Sequence, residues 1–349
     1  MEGGISQETG RTWHSAARFI AASAFVQERL YCNQRATIRD LYYSDTKLFP
    51  SQSICNDTIH QMEAKLECER GELGLAASPK GLVRGNFLMR NGNGNDEWID
   101  ASFPLGISLP VCYSTTFEIR FTPVPGGFPP SPTNIHILQQ PFILVIEKEA
   151  IFQHIIQGDY FTKAYPQCIL LTGRGNPDRA SRQLLRSILA AAAPAEIPVF
   201  GLVDCNPWGY QIAAVWNASL KEKDMTIIPP QRESPTSWPG GSLQLLGLCP
   251  QDTDQIPMHW QKPLTKEDKS ILPHLYRTCP QWEAPLREME ERNTKLELEA
   301  LYTEHVHYLS ECYLPQKLQE HGIYPMDRNR VQTEREKPDH LTTSPKRRQ

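Results

Sequence analysis

Three side chains able to ligate a cation stand where predicted strands end. Glu147 follows Phe142-Ile-Leu-Val-Ile146, and Asp204 and Asn206 follow the run Pro198-Val-Phe-Gly-Leu-Val203. In an open parallel sheet the ligand crevice lies outside the carboxyl ends of the strands, so side chains from two such ends can converge. Oxygen ligands gathered there suit Mg²⁺. Acidic residues also terminate strands and cap the helix that follows, a reading that accounts for one such residue more readily than for Glu147 together with Asp204-Cys-Asn-Pro-Trp-Gly209. Gly209 permits a tight approach after the strand.

Two further clusters carry possible chemistry. Thr172-Gly-Arg-Gly-Asn-Pro-Asp178 is a glycine-bracketed turn opening a helix, which can present backbone N–H groups and Arg174 to a phosphate. A lone Gly-x-Gly is more often an ordinary tight turn. Near the N-terminus, Arg39-Asp-Leu-Tyr-Tyr43 places Arg39 and Tyr43 four residues apart, on one helical face. A guanidinium there favours phenolate or binds the phosphate that the phenol attacks. With a pKa of about 10 a phenol is a poor nucleophile near neutral pH, and it needs a metal, a base or an arginine. Tyr42 and Tyr43 also read as aromatics packing a small domain.

The elements that position these residues follow from periodicity. Apolar residues at helical spacing predict a helix over 16–30, a second over 33–43 after a short turn, and a third over 53–66. Gly85 to Arg90 and Glu97 to Asp100, separated by a Gly/Asn cluster, predict a hairpin. Helices followed by a hairpin is the order of a winged helix. The proline-rich stretch from Pro123 is expected to be a linker. Beyond it strands over 142–146, 168–172 and 197–203 alternate with helices over 150–156, 178–193 and 209–216, which predicts a parallel sheet. Residues 229–241 read as an exposed insertion. A long amphipathic helix is expected over 286–314, ended by Pro315. The tail over 327–349 is basic and poor in large apolar residues, which predicts disorder, and Pro345-Lys-Arg-Arg348 within it suits nuclear import.

Composition bounds the class. The chain has 349 residues, 40% hydrophobic and 22% charged, enough for about two globular domains. Its longest apolar runs fall far short of the roughly 18 residues a membrane span needs, and the N-terminus shows no leader pattern, so neither a membrane partner nor secretion is expected. Nine cysteines without a Cys-x-x-Cys spacing read as reduced thiols of cytosol or nucleus. A formal net charge of −4 does not advertise a nucleic-acid partner, so any DNA contact must be local.

Several motifs, in order, carry a resemblance. Arg39-Asp-Leu-Tyr-Tyr-Ser-Asp45, Lys80-Gly-Leu-Val-Arg-Gly85, Phe142-Ile-Leu-Val-Ile-Glu-Lys148, Thr172-Gly-Arg-Gly175 with Pro177-Asp178, and Asp204-x-x-Pro-Trp-Gly209 resemble those of the topoisomerase VI A-subunit family. Leu246-Gly-Leu248, Pro263-Leu-Thr265 with Asp268, and Lys295-Leu-Glu-Leu-Glu-Ala-Leu301 continue the series. The resemblance spans roughly residues 15 to 325 and is nearest the eukaryotic meiotic branch, the transesterase that makes the double-strand breaks initiating recombination.

That resemblance implies a two-domain α+β/α/β chain: a winged-helix domain over 1–122 with the catalytic tyrosine, a linker over 123–135, a Toprim α/β domain with a parallel sheet and a helical extension over 136–326, and a disordered tail over 327–349. It implies Tyr43 as nucleophile with Arg39 beside it, and Mg²⁺ on Glu147, Asp204 and Asn206. Lys80, Arg84 and Arg174 are candidate DNA phosphate contacts. The implied enzyme is a topoisomerase of the ATP-hydrolysing type II class whose cleavage step needs no ATP. It acts on double-stranded DNA in the nucleus, on chromosomes, as a homodimer. The implied partners are a topoisomerase VI B-like subunit with other break-forming proteins. The family pattern Asp-x-Asp-x-x-Gly reads Asp204-Cys-Asn206-Pro-Trp-Gly209 here. Asn206 keeps a carbonyl oxygen but removes one negative charge, so weaker Mg²⁺ binding is expected, and a DNA-binding homologue that does not cut stands as the alternative. A general Mg²⁺-dependent phosphotransferase lacks its signatures, since neither a Walker loop nor a nucleophile elbow occurs.

Overall fold

The structure, a computed structural model, describes residues 3–92, 96–111, 116–122, 141–193, 195–221, 242–302 and 305–326. The expected linker (123–135), insertion (229–241) and tail (327–349) lie outside the described residues.

The N-terminal part is built from α1 (Gly3–Tyr31), β1 (Ala36–Thr37), α2 (Ile38–Ser44), α3 (Gln52–Leu66) and β2 (Leu75–Ala76), with β1 and β2 parallel. The second helix starts at Ile38 rather than near Asn33. Asn33 takes the left-handed φ of 51°, and a capping box sets the true start: Thr37 Oγ1 accepts from the Asp40 N–H at 3.2 Å, and Asp40 Oδ2 accepts from the Thr37 N–H at 2.7 Å. Val26, Ile38, Leu41, Phe49, Ile59, Met62 and Leu75 bury together as a small separate core.

The larger core surrounds a six-stranded sheet ordered β11-β10-β8-β9-β3-β6. β8 (Phe142–Ile146), β9 (Cys168–Thr172), β10 (Val199–Leu202) and β11 (Gln244–Gly247) are parallel, and every residue of β8, β9 and β10 is buried. That explains their continuous apolar runs, since helices cover both faces of such a sheet. The connecting helices are α4 (Glu149–Gln157), α5 (Tyr160–Ala164), α6 (Arg179–Ala192) and α7 (Pro207–Lys221).

β3 (Leu82–Arg84) and β6 (Ile107–Ser108) extend this sheet, β3 pairing antiparallel with β9. The expected hairpin forms between β4 (Phe87–Asn91) and β5 (Ile99–Asp100), and β7 (Phe117–Phe121) adds a third strand beside β4. Its apolar side chains, Phe87, Met89 and Phe117, pack into the larger core. The two hydrophobic cores divide between Ala77 and Leu82, ahead of the expected linker, because Leu82 and Val83 register on Thr172 and Leu171 of β9.

The C-terminal part comprises β12 (Lys262–Pro263), α8 (Lys266–Thr278), α9 (Glu283–Arg292), β13 (Thr294–Lys295) and α10 (Leu314–Glu320). The single helix expected over 286–314 is not formed. α9 stops where Asn293 turns left-handed at φ 46°, β13 pairs with β12, and Leu296 and Leu298 are fully buried in the large core. Burying those leucines outweighs continuing a helix that is apolar on one stripe only. α10 follows directly on a π-helical turn, Leu309–Tyr313, and Pro315 stands near its start instead of ending a helix. No described helix is long and apolar enough to cross a membrane.

Candidate functional site

Glu147 and Asp204 emerge at the carboxyl ends of adjacent parallel strands, β8 and β10, and only 8% and 4% of their surfaces are exposed. Asp204 donates its backbone N–H to Glu147 Oε2 at 2.9 Å, which ties the two strand ends together. Burial, and then the neighbouring Asp204 charge, push the Glu147 carboxyl up to about 7. Burial likewise raises the Asp204 carboxyl above its ordinary value, although the Lys148 ammonium opposes the rise. Two desolvated carboxylates side by side disfavour each other's charge, and a divalent cation is the group that relieves both.

Asn206 stands next to this pair but faces another task. Its Oδ1 accepts from the Gly209 N–H at 2.8 Å at the start of α7, and its Nδ2 lies 3.5 Å from Asp204 Oδ2. Gly209 is required there, since a Cβ would stand 2.3 Å from the Asp204 carbonyl oxygen. Glu147 and Asp204 thus fit a divalent cation. The Asn206 oxygen, in this rotamer, is engaged by the α7 cap. Among the described residues no group of three His, Cys, Asp or Glu side chains is arranged to hold a metal ion.

Residues to which the sequence assigns no role complete the site. Lys148 Nζ lies 2.9 Å from Asp204 Oδ2 and 2.6 Å from Glu299 Oε2. The Leu298 N–H donates to Asp204 Oδ1 at 2.9 Å, and Leu296 bridges to Cys205. Asp268, nearly fully buried, accepts from the Trp208 indole N–H at 3.1 Å and pairs with Lys295. The motifs around 204, 268 and 295 are thereby joined in space. Their signal in the sequence is the acid and lysine spacing of Lys295-Leu-Glu-Leu-Glu299, which an amphipathic-helix reading absorbs.

Tyr43 lies near the end of α2 and is 65% exposed. Its ring meets that of Tyr42 edge-on at 4.9 Å. Arg39 is exposed on the same short helix, and neither its guanidinium nor the Tyr43 hydroxyl is paired with another described residue. The alternative of Tyr43 as a packed core aromatic does not hold; Leu41 and Ile38 fill that role, with Tyr42 half-buried beside them.

The basic candidates separate. Lys80 and Arg174 meet, with Lys80 Nζ donating to the Arg174 carbonyl at 3.5 Å, while the Arg174 guanidinium pairs with Glu149 at 2.8 Å. The Gly175 N–H donates to the Glu147 carbonyl at 2.7 Å, so this turn is fastened to the strand end bearing Glu147. Asp178 caps α6 by accepting from Ser181, and it also accepts from the Lys80 N–H. A carboxylate therefore stands at the helix start where the glycine-bracketed turn predicts a phosphate. Arg84 is half-buried, and desolvation lowers its pKa.

Two family models match the chain. The family model for the Toprim domain shared by the A subunit of topoisomerase 6 and Spo11 matches residues 142–318, and that for type IIB DNA topoisomerase matches residues 14–75. The chain is 30% identical to "Meiotic recombination protein SPO11-1" of Arabidopsis thaliana over 301 residues, 84% of this chain and 75% of that protein. It is 28% identical to "Meiotic recombination protein SPO11" of Mus musculus over 331 residues, 90% and 74% of the two chains. To the A subunit of DNA topoisomerase 6 from Arabidopsis thaliana it is 30% identical over 308 residues, 85% and 64%.

Proposed function

The chain belongs to the family of Spo11 and the topoisomerase 6 A subunits, and from that premise we propose that it is a DNA transesterase that makes the double-strand breaks of meiotic recombination. The observation that carries this reading is the buried pair Glu147 and Asp204 at neighbouring strand ends, in a chain that also holds an exposed Tyr43 on a separate core. In this reading the core over residues 22–75 is that of a winged helix and the strands over 82–121 lean on the Toprim unit. The chain works in the nucleus as a homodimer, with a B-like subunit to which any ATP hydrolysis belongs.

The Tyr43 oxygen attacks a DNA phosphodiester. The bond from phosphorus to the 3′ oxygen breaks, leaving a 5′-phosphotyrosyl ester and a free 3′-hydroxyl. Bond energy is retained in the ester, so the step is reversible without ATP. Arg39, one helical turn before Tyr43, places positive charge beside the developing phenolate and the phosphate. Glu147 and Asp204 would hold Mg²⁺, which would supply charge neutralisation for the phosphate and the leaving oxygen. Lys80 and Arg174 position the backbone without reading sequence.

Covalent protein–DNA adducts test the reading. Wild type should form them, Tyr43→Phe should abolish them with DNA binding retained, and Tyr42→Phe should be milder. Adducts that persist in Tyr43→Phe and vanish in Tyr42→Phe would reassign the nucleophile. A second reading, a homologue that binds DNA but cuts weakly, is favoured by the engagement of Asn206 in the α7 cap; DNA binding by wild type without adducts, at any Mg²⁺ concentration, supports it.

A further inference from the structure

We propose that Lys148 is a built-in placeholder that competes with a divalent cation for Asp204, and that Glu297 and Glu299 form the berth to which its ammonium withdraws. The inference rests on the reading of Glu147 and Asp204 as a metal pair. Asp204 has two oxygens. Oδ1 accepts from the Leu298 N–H at 2.9 Å, an immobile backbone donor, so Oδ2, whose neighbour Asn206 Nδ2 is 3.5 Å away, is the oxygen more open to a cation. That same oxygen is held by Lys148 Nζ at 2.9 Å.

The ammonium already pairs with one side of its berth, Glu299 Oε2 at 2.6 Å, and lies 4.0 Å from Oε2 of Glu297, whose Oε1 is paired with Lys262 at 2.9 Å. Leu298 stands between those two glutamates, and Leu296 is bridged to Cys205. One segment therefore clamps Asp204 and registers the berth beside it. A buried carboxylate left unpaired is costly, and the placeholder removes that cost whenever no other cation is present. Withdrawal is easy, because a lysine head rides on a flexible four-carbon stem and the Lys148, Glu297 and Glu299 side chains all reach solvent. The berth also explains why acids sit at alternate positions around Leu298, a feature that helix amphipathicity would not require.

The test uses the intact chain and Mn²⁺ as the probe, with free Mn²⁺ read by electron paramagnetic resonance. Lys148→Met should bind Mn²⁺ about tenfold more tightly than wild type, because a competing charge is gone. Glu299→Gln should bind it several-fold more weakly, because the ammonium has lost its alternative partner. In wild type, acylation of the Lys148 amine, mapped by mass spectrometry, should rise with Mn²⁺ relative to Lys163, whose partner Asp159 lies on a different surface pair. Equal Mn²⁺ affinity in wild type and Lys148→Met, or Lys148 acylation unchanged at saturating Mn²⁺, overturns the placeholder while leaving the metal pair intact. Failure of both proteins to bind Mn²⁺ overturns the metal pair itself and the inference with it.

Discussion

At the scale of single residues, the amide at 206 separates two jobs that one aspartate would share. Its oxygen caps α7 through Gly209, and its nitrogen faces Asp204 Oδ2. Asn206→Asp keeps the cap, since a carboxylate oxygen also accepts the Gly209 N–H, but it sets two like charges together. Unit charges about 4 Å apart repel by roughly 4 kcal/mol at an effective dielectric near 20. Lys148 and solvent offset part of this, so the variant should lose about 1–2 kcal/mol without metal and regain it with Mg²⁺. Thermal unfolding with and without Mg²⁺ checks this. Identical melting curves for the two proteins in both conditions would show that position 206 does not face the metal pair. The residue types at this site were legible in the chain, whereas the direction in which Asn206 points was not, because only the backbone of α7 supplies its partner.

Among the elements, α2 carries the most function on the least structure. It has seven residues and buries only Ile38 and Leu41, so its stability leans on the Thr37–Asp40 capping box. Thr37→Ala should cost about 0.5–2 kcal/mol of stability and, by fraying the turn that holds Arg39 and Tyr43, should lower adduct formation more than DNA binding. Denaturant unfolding and the adduct assay measure both; an unchanged midpoint would mean the cap is dispensable. Periodicity locates α3, α4, α6 and the buried strands because each has one uninterrupted apolar stripe or run. It misreads 286–314, where left-handed Asn293 and the pairing of β13 with β12 are decided by contacts with residues 205 and 262–263, remote along the chain.

For the molecule as a whole, a buried polar network around Asp252 joins the turn after β11 to Tyr313 and α10, beside the burial of Leu314 and Leu318. Asp252 accepts from the Tyr313 hydroxyl at 2.7 Å, the Lys317 ammonium at 3.2 Å and the Cys249 N–H at 2.9 Å. Burial opposes ionisation of Asp252, but these donors outweigh it and hold its carboxyl below the ordinary value. A lowered folded pKa contributes stability that is present above the unfolded carboxylate pKa of about 4 and lost as pH falls through the folded value. Stability of wild type should therefore drop with acid below about pH 4–5, and Asp252→Asn should be less stable near neutral pH with a shallower acid limb. Chemical unfolding from neutral pH down to about pH 3 measures it, and parallel limbs in the two proteins would assign the acid sensitivity elsewhere.

The amino-acid sequence by itself determined the parallel sheet, the strand ends bearing Glu147 and Asp204, and the Arg39–Tyr43 spacing. Each of these depends on local periodicity, and buried strands cannot tolerate polar residues before their ends. Tertiary structure alone decided where the two cores divide, since β3 reads as part of a hairpin region until it pairs with β9. It also decided that Lys148 meets Glu299 across 151 residues of chain and that both gather beside Asp204. A charged side chain shows in sequence only its sign and reach; its partner is selected by which backbone segments the burial of Leu296 and Leu298 brings alongside.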